Sequence, residues 1–215
     1  MGRIMPGVAA IVLAAGASSR MGTPKQLLQL QGKSLVRRAV ETVAGAGCER
    51  VIVVAGAAVE DIRRDLAELT SGQNSLAMAA RIEIVINSGW ERGIGSSIRT
   101  GAAVLLQISP APASVVLLLC DQPFVTSAAV RRLIDAMDAA GKPVIVSSFS
   151  GTIGPPVVVR ADYFSRLMNL PDDRGAKSIW MDTPDLVCAV VCDEAGVDID
   201  TPGDFERARE RLADR

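Results

Sequence analysis

The chain has 215 residues, 49% of them apolar and 22% charged, which fits one globular domain able to bury roughly 70% of its unfolded surface without disulfide or metal staples. Its 23 basic and 24 acidic residues leave a formal charge of -1, excluding the basic excess of a general nucleic-acid or membrane-surface binder. Two Trp, one Tyr and four Phe are too few for a base-stacking platform, and the absence of histidine excludes Ser-His or Cys-His nucleophiles and His-ligated metals.

The first predicted strand is VAAIVLA, Val8 to Ala14. Arg3 followed by this apolar run imitates a secretory signal peptide. Cleavage there would remove the strand that supports the next loop, so the run is expected in the core and the protein in the cytoplasm. No later run approaches the 18 or so apolar residues of a membrane span. A helix is expected from about Ser34 to Ala46 with Ser34 as N-cap. VIVVAG then leads into the helix VEDIRRDLAEL, and IEIVIN leads through SGWERGIGSS into the helix IRTGAAVLLQ. SVVLLLC leads into DQPF and the helix AAVRRLIDAMDAAG; PVIVSSF and PPVVVR read as strands separated by the turn SGTIG. RADYFSRLMNLPDDRGAKSIW reads as two short helices broken by Pro171. DLVCAVVC is a further strand, DIDTP a turn and GDFERARERLADR a closing helix.

Continuous Val/Ile/Leu strands are what a sheet covered on both faces requires. Repeated strand-helix units imply right-handed crossovers and a mostly parallel open sheet with helices on both faces, an α/β single domain. Ligands in such folds bind beyond the carboxyl ends of the strands. Cys48, Cys120, Cys188 and Cys192 read as small apolar fillers, because a lone C-x3-C is a poor zinc site.

Four stretches carry chemistry. The loop after the first strand, AGASSRMGTPK, offers backbone N–H groups around Gly16, Ala17 and Ser18 that can cradle an anion. Arg20 adds a planar fork and Lys25 a mobile point charge, a pair suited to a polyphosphate or, failing that, simply to solvent. Its spacing is neither Walker A nor G-x-G-x-x-G. Asp121, at the tip of VVLLLC, is placed either to hold Mg²⁺ or to open the following turn. Asp198 and Asp200 share one side of an extended segment by period two and could complete that metal site, with Thr201 capping the closing helix. In GIGSSIRTG the small residues at a helix start allow close approach by a base or ribose, and Asn87 could read a base edge. Ile98 stands where a dinucleotide fingerprint needs its third small residue.

In this order, LAAGASSRMGTPK, NSGWERGIGSSIRTG, DQP and DIDTPGDFERA resemble the motifs of the nucleotidyltransferases of the molybdenum-cofactor family. The resemblance covers nearly the whole chain and implies a Rossmann-like nucleotide-diphospho-sugar transferase fold. It implies that residues 1–125 bind the nucleotide and 126–215 the acceptor. It implies that Gly16, Arg20 and Lys25 hold a triphosphate, that Asp121 binds Mg²⁺, and that Ser97 lies near the nucleoside. Leu13, Ala14, Ala15 and Gly16 match the L-A-A-G of cytidylyl members rather than the L-A-G-G of guanylyl ones, which points to CTP. DDRGAK is similar to a segment near the acceptor, suggesting that Arg174 and Lys177 contact the phosphate of a molybdopterin-type acceptor. A recipient molybdoenzyme is a further implied partner. Gly154-Pro155-Pro156 departs from the G-H-P of many relatives and puts an acceptor contact in doubt.

Overall fold

The computed structural model describes residues 7–71, 80–181 and 183–213. Strand β1 (Val8–Ala14) lies at the centre of a seven-stranded sheet. It is flanked in parallel by β4 (Cys48–Ala55) and β6 (Ser114–Leu119). The side chains of β1 alternate between two cores. Ala10, Val12 and Ala14 pack with Val36, Val40 and Val43 of helix α1 (Leu35–Gly45) and with Val130 and Leu133 of α5 (Ser127–Ala140). Ala9, Ile11 and Leu13 pack on the other face with Ile98 and Leu105 of α4 (Ile94–Leu105) and with Phe164 and Leu167 of α6 (Phe164–Met168). A strand buried on both faces must be apolar at every position, which is what VAAIVLA supplies.

Beyond β4 lies β5 (Arg81–Ile86), also parallel. On the other side come β8 (Thr152–Arg160), β7 (Val144–Phe149) and β9 (Val187–Val191), giving the order β5-β4-β1-β6-β8-β7-β9. Only β8 runs against its neighbours. The mostly parallel α/β sheet with helices on both faces is therefore as expected. The prolines of GPP fit inside β8 because pairing with β6 stops at Leu117↔Val157 and the register against β7 shifts just there, so neither proline removes a ladder donor.

Local details differ from the reading of the sequence. A hairpin of β2 (Gln29–Leu30) and β3 (Lys33–Ser34) was not anticipated. Gln31 and Gly32 both adopt positive φ, 50° and 75°, the backbone of a tight hairpin turn. The single helix expected after VIVVAG is split at Leu66 into α2 (Val59–Asp65) and α3 (Ala67–Thr70). Helix α4 begins at Ile94, a turn earlier than its glycines suggest. Gly101 is there for close packing: a Cβ on it would lie 2.7 Å from Ile11 Cγ2. Ser34 does cap α1, accepting from Arg37 N at 3.0 Å. The two short helices around Pro171 are α6 and α7 (Lys177–Met181), and the closing helix is α8 (Pro202–Ala213). Among the described residues no helix is long and apolar enough to cross a membrane.

Candidate active site

The carboxyl ends of β1 and β6 stand side by side, with Leu13 paired to Leu119. The chain leaves both strands toward the same edge of the sheet. The loop after β1 is closed on itself by Gln26, which is buried. Its amide donates to Ala14 O at 3.0 Å and Gly16 O at 2.5 Å, and its carbonyl accepts from Ser18 Oγ at 3.2 Å. Ser18, at a φ of 57°, also accepts from Lys25 N at 2.9 Å. These bonds return the chain to its starting point and deliver Lys25 beside the end of β6. Ser18 is thus engaged inside the loop, and Gln26, which the sequence reading passed over, is its organiser. Its only sequence signal is adjacency to Lys25.

Lys25 Nζ donates to Asp121 Oδ2 at 2.5 Å and to Asp200 Oδ1 at 2.9 Å. Arg20 Nη2 lies 3.1 Å from the same Asp200 oxygen. Burial works against the Lys25 charge, but the two carboxylates outweigh it and hold the ammonium above its ordinary value. The hydrogen bond from Lys25 likewise draws the Asp200 carboxyl below its usual range, against a smaller opposing effect of burial. Asp200 reaches this point because Ile199 N donates to Asp121 O at 2.9 Å, tying the DIDTP segment to the exit of β6. Ile199 and Ala208 of α8 then pack with Phe124 and Leu35 in a separate apolar cluster.

A cavity of about 330 Å³ opens over these strand ends. Leu13, Ala14, Ala15, Gly16, Lys25, Ser97 and Asp121 line it, so the structure gathers most of the residues expected from the sequence. Trp90 and Glu91 also line it, and nothing in the sequence reading singled them out. Asn87 is engaged within the protein. Its side chain is buried, donates to Ser96 Oγ and Ser97 Oγ at 2.8 and 3.0 Å, and accepts from Gly89 N at 3.0 Å. Both of its N–H groups are thus used internally, while Oδ1 keeps a second lone pair.

The two acids of DIDTP also separate. Asp200 joins Lys25, whereas Asp198 lines another cavity with Phe124, Asp204 and Arg211. Desolvation by burial, reinforced by the charges of Asp121 and Asp200, pushes the Asp198 carboxyl up to about 6. Thr201 accepts from Asp204 N at 3.2 Å and donates to its Oδ2 at 2.7 Å, a cap at the start of α8. Arg174 and Lys177 do come together, lining a cavity of about 350 Å³ with Gly175, Ser178 and Met181. The Pro155 carbonyl accepts from Gln122 Nε2 at 3.1 Å, which keeps the GPP segment next to the Asp121 turn.

Whether these residues fit a divalent cation can be judged from Asp121. Its Oδ1 is buried and has no hydrogen-bond partner, an arrangement that leaves an acceptor directed at something other than the protein. Among the described residues no group of three or more His, Cys, Asp or Glu could hold a metal unaided. The described residues therefore form no protein cage, but Mg²⁺ characteristically takes one or two carboxylates and completes its shell with water and phosphate oxygens. The donor set fits a cation shared with a phosphorylated substrate.

Residues 10–187 match the model of the MobA-like NTP transferase domain. The chain belongs to this family. Among MobA-like relatives it is 30% identical to nicotine blue oxidoreductase of Paenarthrobacter nicotinovorans, over 92% of this chain and 94% of that protein. It is 26% identical to the purine catabolism protein PucB of Bacillus subtilis (strain 168), over 97% and 98%. Rv0371c of Mycobacterium tuberculosis H37Rv superposes with a TM-score of 0.73 at 27% identity, covering 96% and 98% of the two chains. A manganese complex of that protein superposes at 0.67 and 25% identity, covering 95% and 98%.

Proposed function

We propose that this MobA-like protein transfers CMP from CTP to the terminal phosphate of a molybdopterin-type acceptor and releases pyrophosphate. The observation that carries the reading is that Lys25 and Asp121 meet on the wall of one cavity, with Asp200 bonded to the same ammonium. In this proposal residues 1–125 supply the nucleotide half of the site and residues 126–215 the acceptor half. A phosphate oxygen of the acceptor forms a bond to the α-phosphorus in line, and the bond from that phosphorus to the bridging oxygen breaks. The electron pair leaves with pyrophosphate.

The acceptor needs no general base. A phosphate monoester has a second pKa of about 6, so it is already largely ionised at neutral pH, in keeping with a chain that has no histidine. The obstacle is charge. Two unit charges 4 Å apart interact by about 4 kcal/mol at an effective dielectric near 20, and a phosphate monoester approaching a triphosphate brings several such pairs together. Lys25 and Arg20, now directed at Asp200, would turn to the β- and γ-phosphate oxygens. Asp121, with Asp200 beside it, would hold a divalent cation, and that ion supplies positive charge shared between the protein and the phosphates. The manganese complex of Rv0371c supports a divalent ion; Mg²⁺ is the ion proposed here. Leu13 to Gly16 would face the nucleoside, with Ala15 crowding a purine and Ser97 near the sugar. Arg174 and Lys177 would meet the acceptor phosphate.

The test is a pyrophosphate-release assay pairing each NTP and Mg²⁺ with molybdopterin, with sugar and polyol phosphates, and with no acceptor. Release with CTP and molybdopterin alone is the expected result. Release only with another phosphorylated acceptor would move the chain to a different cytidylyl or uridylyl transfer. Binding of finished cofactor without pyrophosphate release would make it a delivery protein. A parallel measurement of NADH absorbance addresses the redox activity in the name of the nicotine blue relative, and no change is expected.

A further inference from the structure

The start of helix α4 lines the nucleotide cavity and touches the segment that leads into the Arg174/Lys177 cavity. Its first turn contributes Gly93, Ile94 and Ser97 to the nucleotide cavity. The opposite side of that turn is pressed against the segment from Leu170 to Gly175, which leads directly into the cavity of Arg174 and Lys177. The contact is close because two residues lack a Cβ. One on Gly95 would lie 1.8 Å from Pro171 O and 2.8 Å from Arg174 O, and one on Gly93 would lie 2.5 Å from Asp172 O. Gly95 N donates to Asp172 O at 2.9 Å.

One side chain ties the two pieces together. Arg99, one turn further along α4, donates through Nη1 to the Leu170 carbonyl and through Nη2 to the Asp172 carboxylate. The guanidinium is a quarter exposed, and it holds the Asp172 carboxyl below its usual range. The segment is also held at its ends by apolar burial, with Leu170 and Ala176 in the same cluster as Ile98 of α4. Between those ends the chain is held by Arg99, by the Gly95 amide and by a turn bond in which Arg174 N donates to Pro171 O at 3.3 Å.

We propose that Arg99 is the positioning residue of the acceptor segment. By clamping Leu170 and Asp172 to the first turn of α4, it holds the Arg174/Lys177 cavity in register with the nucleotide cavity. This rests on the functional reading above, in which the first cavity takes the nucleotide and the second the acceptor phosphate. Reactants must meet at about 3–3.5 Å for an in-line displacement, and a displacement of about 1 Å is costly. The planar guanidinium presents its two N–H groups in fixed directions, one to a carbonyl and one to a carboxylate, which the freely rotating ammonium of a lysine does not.

The experiment compares wild type with Arg99→Ala and Arg99→Lys. Amide exchange is followed by mass spectrometry, Mg–CTP affinity by calorimetry, and transfer kinetics with molybdopterin as acceptor. The variants should exchange about tenfold faster at Gly95 and across residues 172–175, the loss of roughly one charge-assisted hydrogen bond. Peptides from β1, β4 and β6 should keep their protection, and CTP affinity should stay within about twofold because the nucleotide contacts are untouched. KM for the acceptor should rise about tenfold with that for CTP unchanged, and added guanidinium should restore Arg99→Ala. Unaltered exchange across 172–175 would overturn the proposal, as would equal losses of protection throughout the sheet and of CTP binding. If wild type binds CTP but does not transfer to molybdopterin, the functional reading fails while the exchange pattern still decides the role of Arg99.

Discussion

Lys25 and Lys177 carry the same ammonium group, and the fold treats them in opposite ways. The Lys25 side chain keeps 17% of its exposure and lies between two carboxylates, at the end of a loop closed by a buried glutamine. Lys177 and Arg174 are exposed, and among the described residues neither has a side-chain ion pair or hydrogen bond. The first region is built in advance: its loop is closed and Lys25 is held at the strand ends by two carboxylates. The second offers charges at the rim of a cavity, next to a segment bonded to Arg99 and to the Gly95 amide. A triphosphate presents the same chemistry whatever its use, so a rigid site suits it.

The contrast can be broken most directly at its rigid end. Lys25→Ala or Asp121→Ala should lower pyrophosphate release about a hundred- to a thousand-fold, the usual consequence of removing one preorganised charged group. Circular dichroism and Tm should show the fold intact; near-normal release by either variant would remove the site. Gln26→Ala should cost about 1–3 kcal/mol of stability, because the carbonyls of Ala14 and Gly16 lose their donor. A denaturant melt with an unshifted midpoint would show that the loop closes without it. Ala15→Gly should improve use of GTP relative to CTP by about tenfold, the scale of one methyl group in a pocket, read from competing nucleotides in one assay. At the loose end, Arg174→Ala or Lys177→Ala should raise acceptor KM by no more than about fivefold, since exposed charges each contribute less than about 1 kcal/mol. That effect should fade with added salt, and the Lys25 effect should persist.

The glycines of α4 show where reading the sequence has limits. The sequence places the start of α4 at Ile98, yet Ile94 already begins the helix. Gly95 is small because a backbone from a distant part of the chain touches it, and no local rule contains that information. Asn87 is a second case: only the fold shows that Ser96, Ser97 and Gly89 share its hydrogen bonds. Trp90 and Glu91 entered the cavity wall only once β5 and α4 were placed around the end of β1.

What could be read from the chain alone was whatever depends on neighbours in sequence. Apolar strands of about seven residues, helix spacing between them, the Ser34 cap and the small-residue loop after β1 all follow from local sterics and from burial on two faces. The meeting of Lys25 with Asp121 and Asp200, 96 and 175 positions away, depends on the order of strands in the sheet. Strand order is set by long-range packing of helices on both faces, and only the folded chain brings those charges within one hydrogen bond of each other.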